Sequence, residues 1–293
     1  MSRAGFVALA GRPNVGKSTF VNAVVGEKVA IVSDRPQTTR RAIRGVHQAG
    51  DCQMVLVDLP GVQRPRDELT SRMARRVQQE LDGSDAALLM LNGELGVGGG
   101  DRFIARTLAG TGVPVTIAVN KVDRLARAPL MDVLQQASEL ELEAEVFPIS
   151  ARRGSGMREL VAHLSALMPQ GPFMFAADAA SDQSTDVLVG ELIREAVIRR
   201  TFQEVPHAVE VIVEEIEYER AGFAQVRALI WVESESQKGI LIGAHGRMIK
   251  AIGTAARREL QRALECQVHL DLSVRVRRDW RADEGLLDRL GIT

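Results

Sequence analysis

The chain has 293 residues, of which 45% are hydrophobic and 26% charged, and its formal net charge is −1. This size and composition are typical of a globular protein with room for two hydrophobic cores. No stretch approaches the ~20 apolar residues that a transmembrane helix requires, and Cys52 and Cys266 are too far apart to indicate a disulfide framework or a metal-binding pair.

Residues 1–168 alternate short apolar runs with helix-like runs. Unbroken apolar runs of this kind indicate strands covered on both faces, and they are GFVALA, QMVLVDL, DAALLMLN, PVTIAVNK and AEVFPIS. Runs such as STFVNAVVG and MRELVAHLSALM predict the crossover helices. We therefore predict an α/β domain with a mostly parallel sheet and helices on both faces. Because the first strand leads directly into a glycine loop, we expect no cleavable signal peptide and a cytoplasmic location.

The segment GRPNVGKS matches the phosphate-loop pattern G-x-x-x-x-G-K-[ST] and lies between a predicted strand and a predicted helix. In such a loop the backbone N–H groups and the helix N-terminus face the phosphates. Lys17 reaches the β- and γ-phosphates, and the Ser18 hydroxyl ligates Mg²⁺. The predicted nucleotide contacts here are Gly11, Arg12, Pro13, Asn14, Val15, Gly16, Lys17, Ser18 and Thr19.

Three further short motifs, DLPG, NKVD and SAR, each end a predicted strand, where α/β folds bind ligands. Asp58 can hold Mg²⁺, and the Gly61 N–H can sense the γ-phosphate. Asp123 can accept hydrogen bonds from guanine N1 and N2, which adenine cannot supply, so an ATPase is disfavoured. The predicted contacts are Asp58, Leu59, Pro60, Gly61, Asn120, Lys121, Asp123, Ser150, Ala151 and Arg152.

The four motifs together resemble those of translation-factor-class GTPases, and SDRPQTTRRAIRG resembles the G2 region of the Era-type branch. The resemblance implies that a threonine, Thr38 or Thr39, joins Ser18 on Mg²⁺ in the GTP state. We favour Thr39, although the sequence does not decide between them. The alternative for this segment is an ordinary polar loop.

The residue after the DxxG glycine is Val62, where Ras-like enzymes carry the Gln that orients the attacking water. Gln63 is out of register. In several Era-like GTPases a potassium ion supplies the missing positive charge. The resemblance implies that Asn14 of the phosphate loop ligates this ion. We expect slow hydrolysis, with Lys17, Thr39, Gly61 and Asn14 as the catalytic residues. The alternative for Asn14 is a residue that shapes the loop.

Residues 169–185 contain Pro169, Gly171 and Pro172 and predict a linker. Residues 186–293 then predict the order α-β-β-α-α-β, with GAHG between the two later helices. This order resembles a type II KH domain, which clamps single-stranded nucleic acid at its GxxG loop. The alternative is a helix C-cap that needs glycine. The predicted RNA contacts are Lys238, Ile242, Gly243, Ala244, His245, Gly246, Arg247, Lys250, Arg257 and Arg258.

The charge of this second region is polarised. Residues 204–235 contain 8 acidic and 2 basic residues, whereas residues 238–281 contain 10 basic and 4 acidic residues. A basic face in a near-neutral chain suits a polyanionic partner, although a solvated surface is the simpler alternative.

A GTPase domain followed by a GxxG KH domain resembles the Era family over nearly the whole chain. The resemblance implies that GTP favours binding to the 3′ region of 16S rRNA during assembly of the 30S ribosomal subunit, and that hydrolysis to GDP permits release. It also implies a monomer in the cytoplasm and leaves open a peripheral association with the inner face of the cell membrane. The alternative function is a nucleotide-switched protein whose C-terminal domain binds protein or membrane.

Overall fold

The structure, a computed structural model, describes residues 1–35, 38–61, 67–220 and 222–292. The chain divides into two compact units. The first unit comprises Met1–Ala30, Thr39–Arg66 and Thr70–Asp182, and the second comprises Ile31–Thr38, Asp67–Leu69 and Gln183–Thr293. Among the described residues, no helix combines the length and the apolar character that crossing a lipid bilayer requires.

The first unit is built on a six-stranded sheet with the strand order β2-β3-β1-β4-β5-β6. Its strands are β1 (Arg3–Ala10), β2 (Ile43–Ala49), β3 (Cys52–Asp58), β4 (Ala86–Asn92), β5 (Val115–Asn120) and β6 (Val146–Pro148). Its helices are α1 (Lys17–Val25), α2 (Glu68–Asp82), α3 (Gly99–Ala109), α4 (Arg127–Ser138) and α5 (Met157–Leu167), with a 3₁₀ turn at Val122–Arg124.

Five of the six strands run parallel, and β2 pairs with β3 in the antiparallel sense. Every residue of β3 and β4 is buried, as the unbroken apolar runs predict. The predicted α/β fold is confirmed. Strand β2 is not among the predicted strands, because IRGVHQA mixes polar residues with Gly45, which an edge strand tolerates.

The first unit extends beyond the end predicted for it, because residues 169–182 group with it. Gln53 Nε2 donates to the Phe175 carbonyl oxygen at 2.9 Å. Ser181 Oγ donates to the Arg44 carbonyl oxygen at 2.7 Å. These bonds attach most of the predicted linker to β2 and β3, because its backbone groups find hydrogen-bond partners there.

The second unit is built on a three-stranded sheet with the order β7-β8-β9, in which β7–β8 is antiparallel and β8–β9 parallel. The predicted order α-β-β-α-α-β is present, with two short helices added to it, and the α+β fold is confirmed. Its elements are α6 (Thr185–Ile198), α7 (Val205–Ala208), β7 (Glu210–Arg220), β8 (Phe223–Val232), α8 (Glu235–Ile242), α9 (Arg247–Ala263), β9 (Gln267–Val276) and α10 (Glu284–Arg289), with a 3₁₀ turn at Ala244–Gly246.

Trp280 joins the segment after β9 to the core of the second unit. Its side chain is fully buried, and its Nε1–H donates to the Ala208 carbonyl oxygen at 2.9 Å. A buried indole usually finds such a partner for its N–H. The C-terminal segment is therefore part of this fold.

Candidate nucleotide and nucleic-acid sites

The phosphate loop connects β1 to α1, and its backbone depends on glycine. Gly16 has φ 107°, and a Cβ atom there would lie 2.2 Å from Asn120 Nδ2. Both the conformation and the close approach exclude a side chain at this position. The loop can thus present its N–H groups to an anion at the start of α1.

Lys17 occupies the first turn of α1 and is buried. Its Nζ donates to the carbonyl oxygens of Gly11 and Arg12 at 3.2 and 3.3 Å. Burial lowers the pKa of Lys17, and the Asp58 carboxylate acts in the opposite direction. The ammonium group therefore lies across the loop with little solvation, where a phosphate would be a strong partner.

Three oxygen-bearing side chains converge beside the loop. Ser18 Oγ donates to Asp58 Oδ2 at 2.5 Å, and Thr39 Oγ1 lies 3.2 Å from Ser18 Oγ and 3.4 Å from Asp58 Oδ2. The Thr38 hydroxyl instead bonds to Ser33 Oγ at 2.5 Å. Hydroxyl and carboxylate oxygens are the ligands that Mg²⁺ prefers. The donor set therefore fits this ion, and the geometry favours Thr39 over Thr38.

The DLPG segment lies against the phosphate loop. A Cβ atom at Gly61 would lie 2.8 Å from the Pro13 backbone nitrogen, so only glycine allows this approach. The Leu59 side chain is fully buried in the core, so only the backbone of Leu59 could contact a nucleotide. Val62 and Gln63, which bear on the attacking water, lie outside the described residues.

Arg12 is attached to α3 by an acidic residue that motif matching missed. Arg12 Nε donates to Asp101 Oδ1 at 3.0 Å, and its Nη2 lies 2.9 Å from Asp101 Oδ2. Asp101 is fully buried and also accepts the Gly98 N–H at 2.9 Å. An acidic residue at the third position of a helix that follows glycines is a capping signal; it could have indicated the bond to the Gly98 N–H but not the ion pair with Arg12.

Asn14 is exposed and has φ 63°, in the left-handed region. Asparagine is among the residues that enter this region most readily. The conformation supports the loop-shaping role left open by the sequence.

The NKVD and SAR motifs, predicted to bind guanine, come together where β5 and β6 end. Asn120 Oδ1 accepts the N–H groups of Lys121 and Ala151 at 2.8 and 3.0 Å. Ser150 Oγ donates to Asp123 Oδ1 at 2.6 Å, and this bond is the largest cause that lowers the pKa of Asp123. The carboxylate is therefore held ionised, as an acceptor for guanine N–H groups must be.

Arg153, the residue after the SAR motif, forms an ion pair with Asp123. Arg153 Nε lies 3.4 Å from Asp123 Oδ2, and Arg152 is exposed. The Lys121 ammonium lies 3.9 Å from Glu94 Oε2.

In the second unit, both glycines of GAHG have positive φ angles. Gly243 has φ 69°, and a Cβ atom there would lie 2.8 Å from Met248 Cβ. Gly246 has φ 74°, and a Cβ atom there would meet nothing within 4 Å. His245 between them is exposed and left-handed, with φ 54°. The loop therefore turns sharply and leaves open space at its second glycine.

The predicted RNA contacts lie in this loop and along the helices α8 and α9 that flank it. Ile240 and Ile242, the last exposed apolar residues of α8, are 44% and 37% accessible. Arg247 Nε donates to the Ala244 carbonyl oxygen at 3.3 Å. The predicted basic contacts on α9, which are Arg247, Lys250, Arg257 and Arg258, are exposed, as is Arg262 on the same helix. Lys238 on α8 is half-buried. Apolar surface beside basic groups is the combination that binds bases and phosphates.

These two sites define a GTPase of the P-loop class that carries a KH domain. Two family models match the chain: "50S ribosome-binding GTPase" over residues 6–121 and "KH domain" over residues 204–281. The GTPase Era of Halothermothrix orenii is 41% identical over 289 residues, which is 99% of this chain and 98% of that protein. The GTPase Era of Thermotoga maritima is 42% identical over 99% of this chain and 97% of that protein.

Solved structures agree with these relatives. A crystal structure of Era in complex with MgGDPNP and nucleotides 1506–1542 of 16S ribosomal RNA matches with a TM-score of 0.95 at 33% identity, over 100% of both chains. A crystal structure of a point variant of Aquifex aeolicus Era, bound to GDP·AlF₄⁻, matches with a TM-score of 0.95 at 32% identity, over 99% of both chains. The chain belongs to the Era family of GTPases.

Proposed function

We propose that this protein binds and hydrolyses GTP with Mg²⁺, binds the 3′ region of 16S rRNA, and acts in assembly of the 30S ribosomal subunit. The observation that carries the proposal is the match over the whole chain to an Era structure that contains both MgGDPNP and nucleotides 1506–1542 of 16S rRNA. Each ligand class has a matching site on this chain, one in each unit.

The first unit supplies the contacts for GTP. Lys17 binds the β- and γ-phosphates, and the loop N–H groups cradle them. Ser18, Thr39 and Asp58 would hold Mg²⁺, which neutralises charge on the phosphate oxygens when bound. Asp123 accepts from guanine N1 and N2, and a backbone N–H of the SAR segment would face guanine O6.

Hydrolysis proceeds without a glutamine directly after Gly61, because that position is Val62. We expect a slow intrinsic rate, since no side chain in that register can orient the attacking water. Potassium at the Asn14 carbonyl oxygen would add positive charge beside the phosphates. Asn14 is exposed on the phosphate loop, which is compatible with this role.

The second unit supplies the contacts for RNA. The GAHG loop lets a sugar–phosphate backbone approach the main chain, and Ile240 and Ile242 offer an apolar surface for unstacked bases. Arg247 and Lys250 follow the loop and supply positive charge for the phosphates. Single-stranded RNA is the ligand that this combination fits.

The test is RNA binding measured by fluorescence anisotropy. A fragment equivalent to the 3′ end of 16S rRNA should bind more tightly with a GTP analogue than with GDP, and the affinity should fall steeply with salt. A fragment of 23S rRNA of equal length is the control, because one matching family model is described as 50S ribosome-binding. Equal affinity for both fragments would refute the 16S assignment.

The alternative partner classes are tested in the same way. Binding to anionic vesicles, with no preference for the 16S fragment, would favour a membrane-interacting protein over an RNA-binding one. The proposed function needs only the cytoplasm and a single chain, and peripheral association at the inner face of the membrane is compatible with it. A mass measured by sedimentation equilibrium tests the monomer directly.

A further inference from the structure

Helix α6 carries a buried arginine that binds the chain just before Thr39. Arg194 is fully buried. Its Nε and Nη2 donate to the two carboxylate oxygens of Glu191 at 3.1 and 2.5 Å. Nη2 also donates to the carbonyl oxygen of Thr38. The planar guanidinium thus joins a carboxylate of its own helix to a backbone carbonyl of a distant segment.

The same segment is bound to α6 at a second place. Glu195 Oε1 accepts the Val32 N–H at 3.0 Å and an Arg199 N–H at 2.9 Å. Arg199 Nη2 also donates to the Val32 carbonyl oxygen at 3.3 Å. Ile31, which is 3% exposed, packs into the hydrophobic core of the second unit. Residues 31, 32 and 38 are therefore each fixed to the second unit.

The Thr38 carbonyl matters because it belongs to the peptide unit that ends at the Thr39 nitrogen. A peptide unit is planar, so the direction of the Thr38 carbonyl fixes the positions of the Thr39 nitrogen and Cα atoms. The Thr39 hydroxyl lies 3.2 Å from Ser18 Oγ.

We propose that Arg194 is a positioning residue for Thr39 and that it sets the preference for GTP over GDP. The inference rests on the proposed function, in which Thr39 joins Ser18 on Mg²⁺ in the GTP state. Contacts that serve only the GTP state shift the affinity for GTP and leave that for GDP unchanged. A buried ion pair often adds little stability, which agrees with a role in orientation.

The experiment measures the affinities of fluorescent GTP and GDP analogues over a range of Mg²⁺ concentrations. The variants are Arg194→Met/Glu191→Leu, which removes both charges together, and Arg194→Lys, which keeps the charge but loses the planar fork. We expect the GTP analogue to bind about tenfold less tightly, as for one hydrogen bond from a charged donor. The Mg²⁺ concentration needed for GTP binding should rise, and GDP affinity should stay unchanged.

Arg200→Met is the matched control, because Arg200 donates to the Ala196 carbonyl oxygen of its own helix. Equal losses for both nucleotides, or no loss for GTP, would overturn the inference. If the double variant does not fold, Arg194→Lys is judged by the same two criteria. Wild-type protein that binds GTP without needing Mg²⁺ would instead refute the proposed function, so the two failures are distinguishable.

Discussion

Asn120 Nδ2 donates to the Val15 carbonyl oxygen at 2.8 Å. The bond joins the NKVD motif after β5, which we propose binds guanine, to the phosphate loop after β1, and both groups are buried. One side chain therefore holds the proposed base-binding segment and the phosphate loop at a fixed separation. This arrangement depends on the sheet order β1-β4-β5, which brings the ends of these strands to one edge.

We expect Asn120→Ala to lower the free energy of unfolding by about 2–4 kcal/mol, because a buried polar group left without its partner costs ~1–3 kcal/mol. The Val15 carbonyl and two N–H groups, those of Lys121 and Ala151, would lose their partner. Urea unfolding of the nucleotide-free protein measures the change. Asn120→Asp keeps the acceptor oxygen and loses the N–H donor. In acid the new carboxyl is protonated and can donate to the Val15 carbonyl again, so this variant should be less destabilised at low pH. Wild-type stability in Asn120→Ala would contradict this role.

Asp123→Asn should exchange guanine for xanthine specificity. The amide would donate where the carboxylate accepts, and xanthine offers an acceptor at position 2. We expect the affinity for GTP to fall by more than about 100-fold, since two hydrogen bonds to a charged group are lost. Competition between GTP and XTP for a fluorescent analogue measures the exchange. If the variant prefers ATP, the assignment of Asp123 to guanine is wrong.

Ser150→Ala should make nucleotide binding more sensitive to acid. The Ser150 hydroxyl is the main cause that lowers the pKa of Asp123 in the folded protein. Guanine binding needs the ionised carboxylate, so affinity is present above this pKa and is lost as pH falls through it. Without the hydroxyl the pKa rises, and the loss should begin at a higher pH. A GDP titration from neutral pH to about pH 4, near the ordinary pKa of Asp, shows whether the two curves separate.

Asn14→Gly separates the two roles of Asn14. Glycine adopts φ 63° without strain, so the loop is kept while the side-chain oxygen is removed. We expect GTP binding to persist and the stimulation of hydrolysis by potassium over sodium to disappear. Phosphate release in the two salts measures this. Persistent stimulation would show that Asn14 only shapes the loop, and Asn14→Ala, which strains the backbone, serves as the comparison.

Replacing both Gly243 and Gly246 with Asp should abolish RNA binding and leave GTP binding intact. Two carboxylates would face the phosphates, and Gly243 also lacks room for a Cβ atom. His245→Ala should cost little, and His245→Gly is the cleaner variant because His245 is left-handed. Anisotropy with the 16S fragment measures RNA affinity, and fluorescent GDP reports on the first unit. RNA binding retained by the double variant would exclude the loop as the RNA site.

The elements that follow from local sequence were predictable. β3 and β4 are mostly apolar runs and are buried throughout. The motifs that end β1, β3, β5 and β6 meet at one edge because these strands are parallel. β2 was not predictable, because an edge strand needs only one partner and tolerates polar residues.

Contacts between residues that are far apart in the sequence could not be predicted from local patterns. The sequence separation of Arg12 and Asp101, or of Arg194 and Thr38, does not indicate that these residues are in contact. Such pairs depend on tertiary packing, whereas motifs are local. The choice between Thr38 and Thr39 likewise needed coordinates, because adjacent residues have the same chemistry and differ only in direction.

The burial of Trp280 has a spectroscopic consequence. The chain has 2 tryptophans, Trp231 and Trp280, and both belong to the second unit. Indole emission shifts to longer wavelength when water reaches the ring. Tryptophan fluorescence will therefore report the unfolding of the second unit but not that of the first. Circular dichroism records both units, and a difference between the two melting curves would show whether they unfold together or in succession.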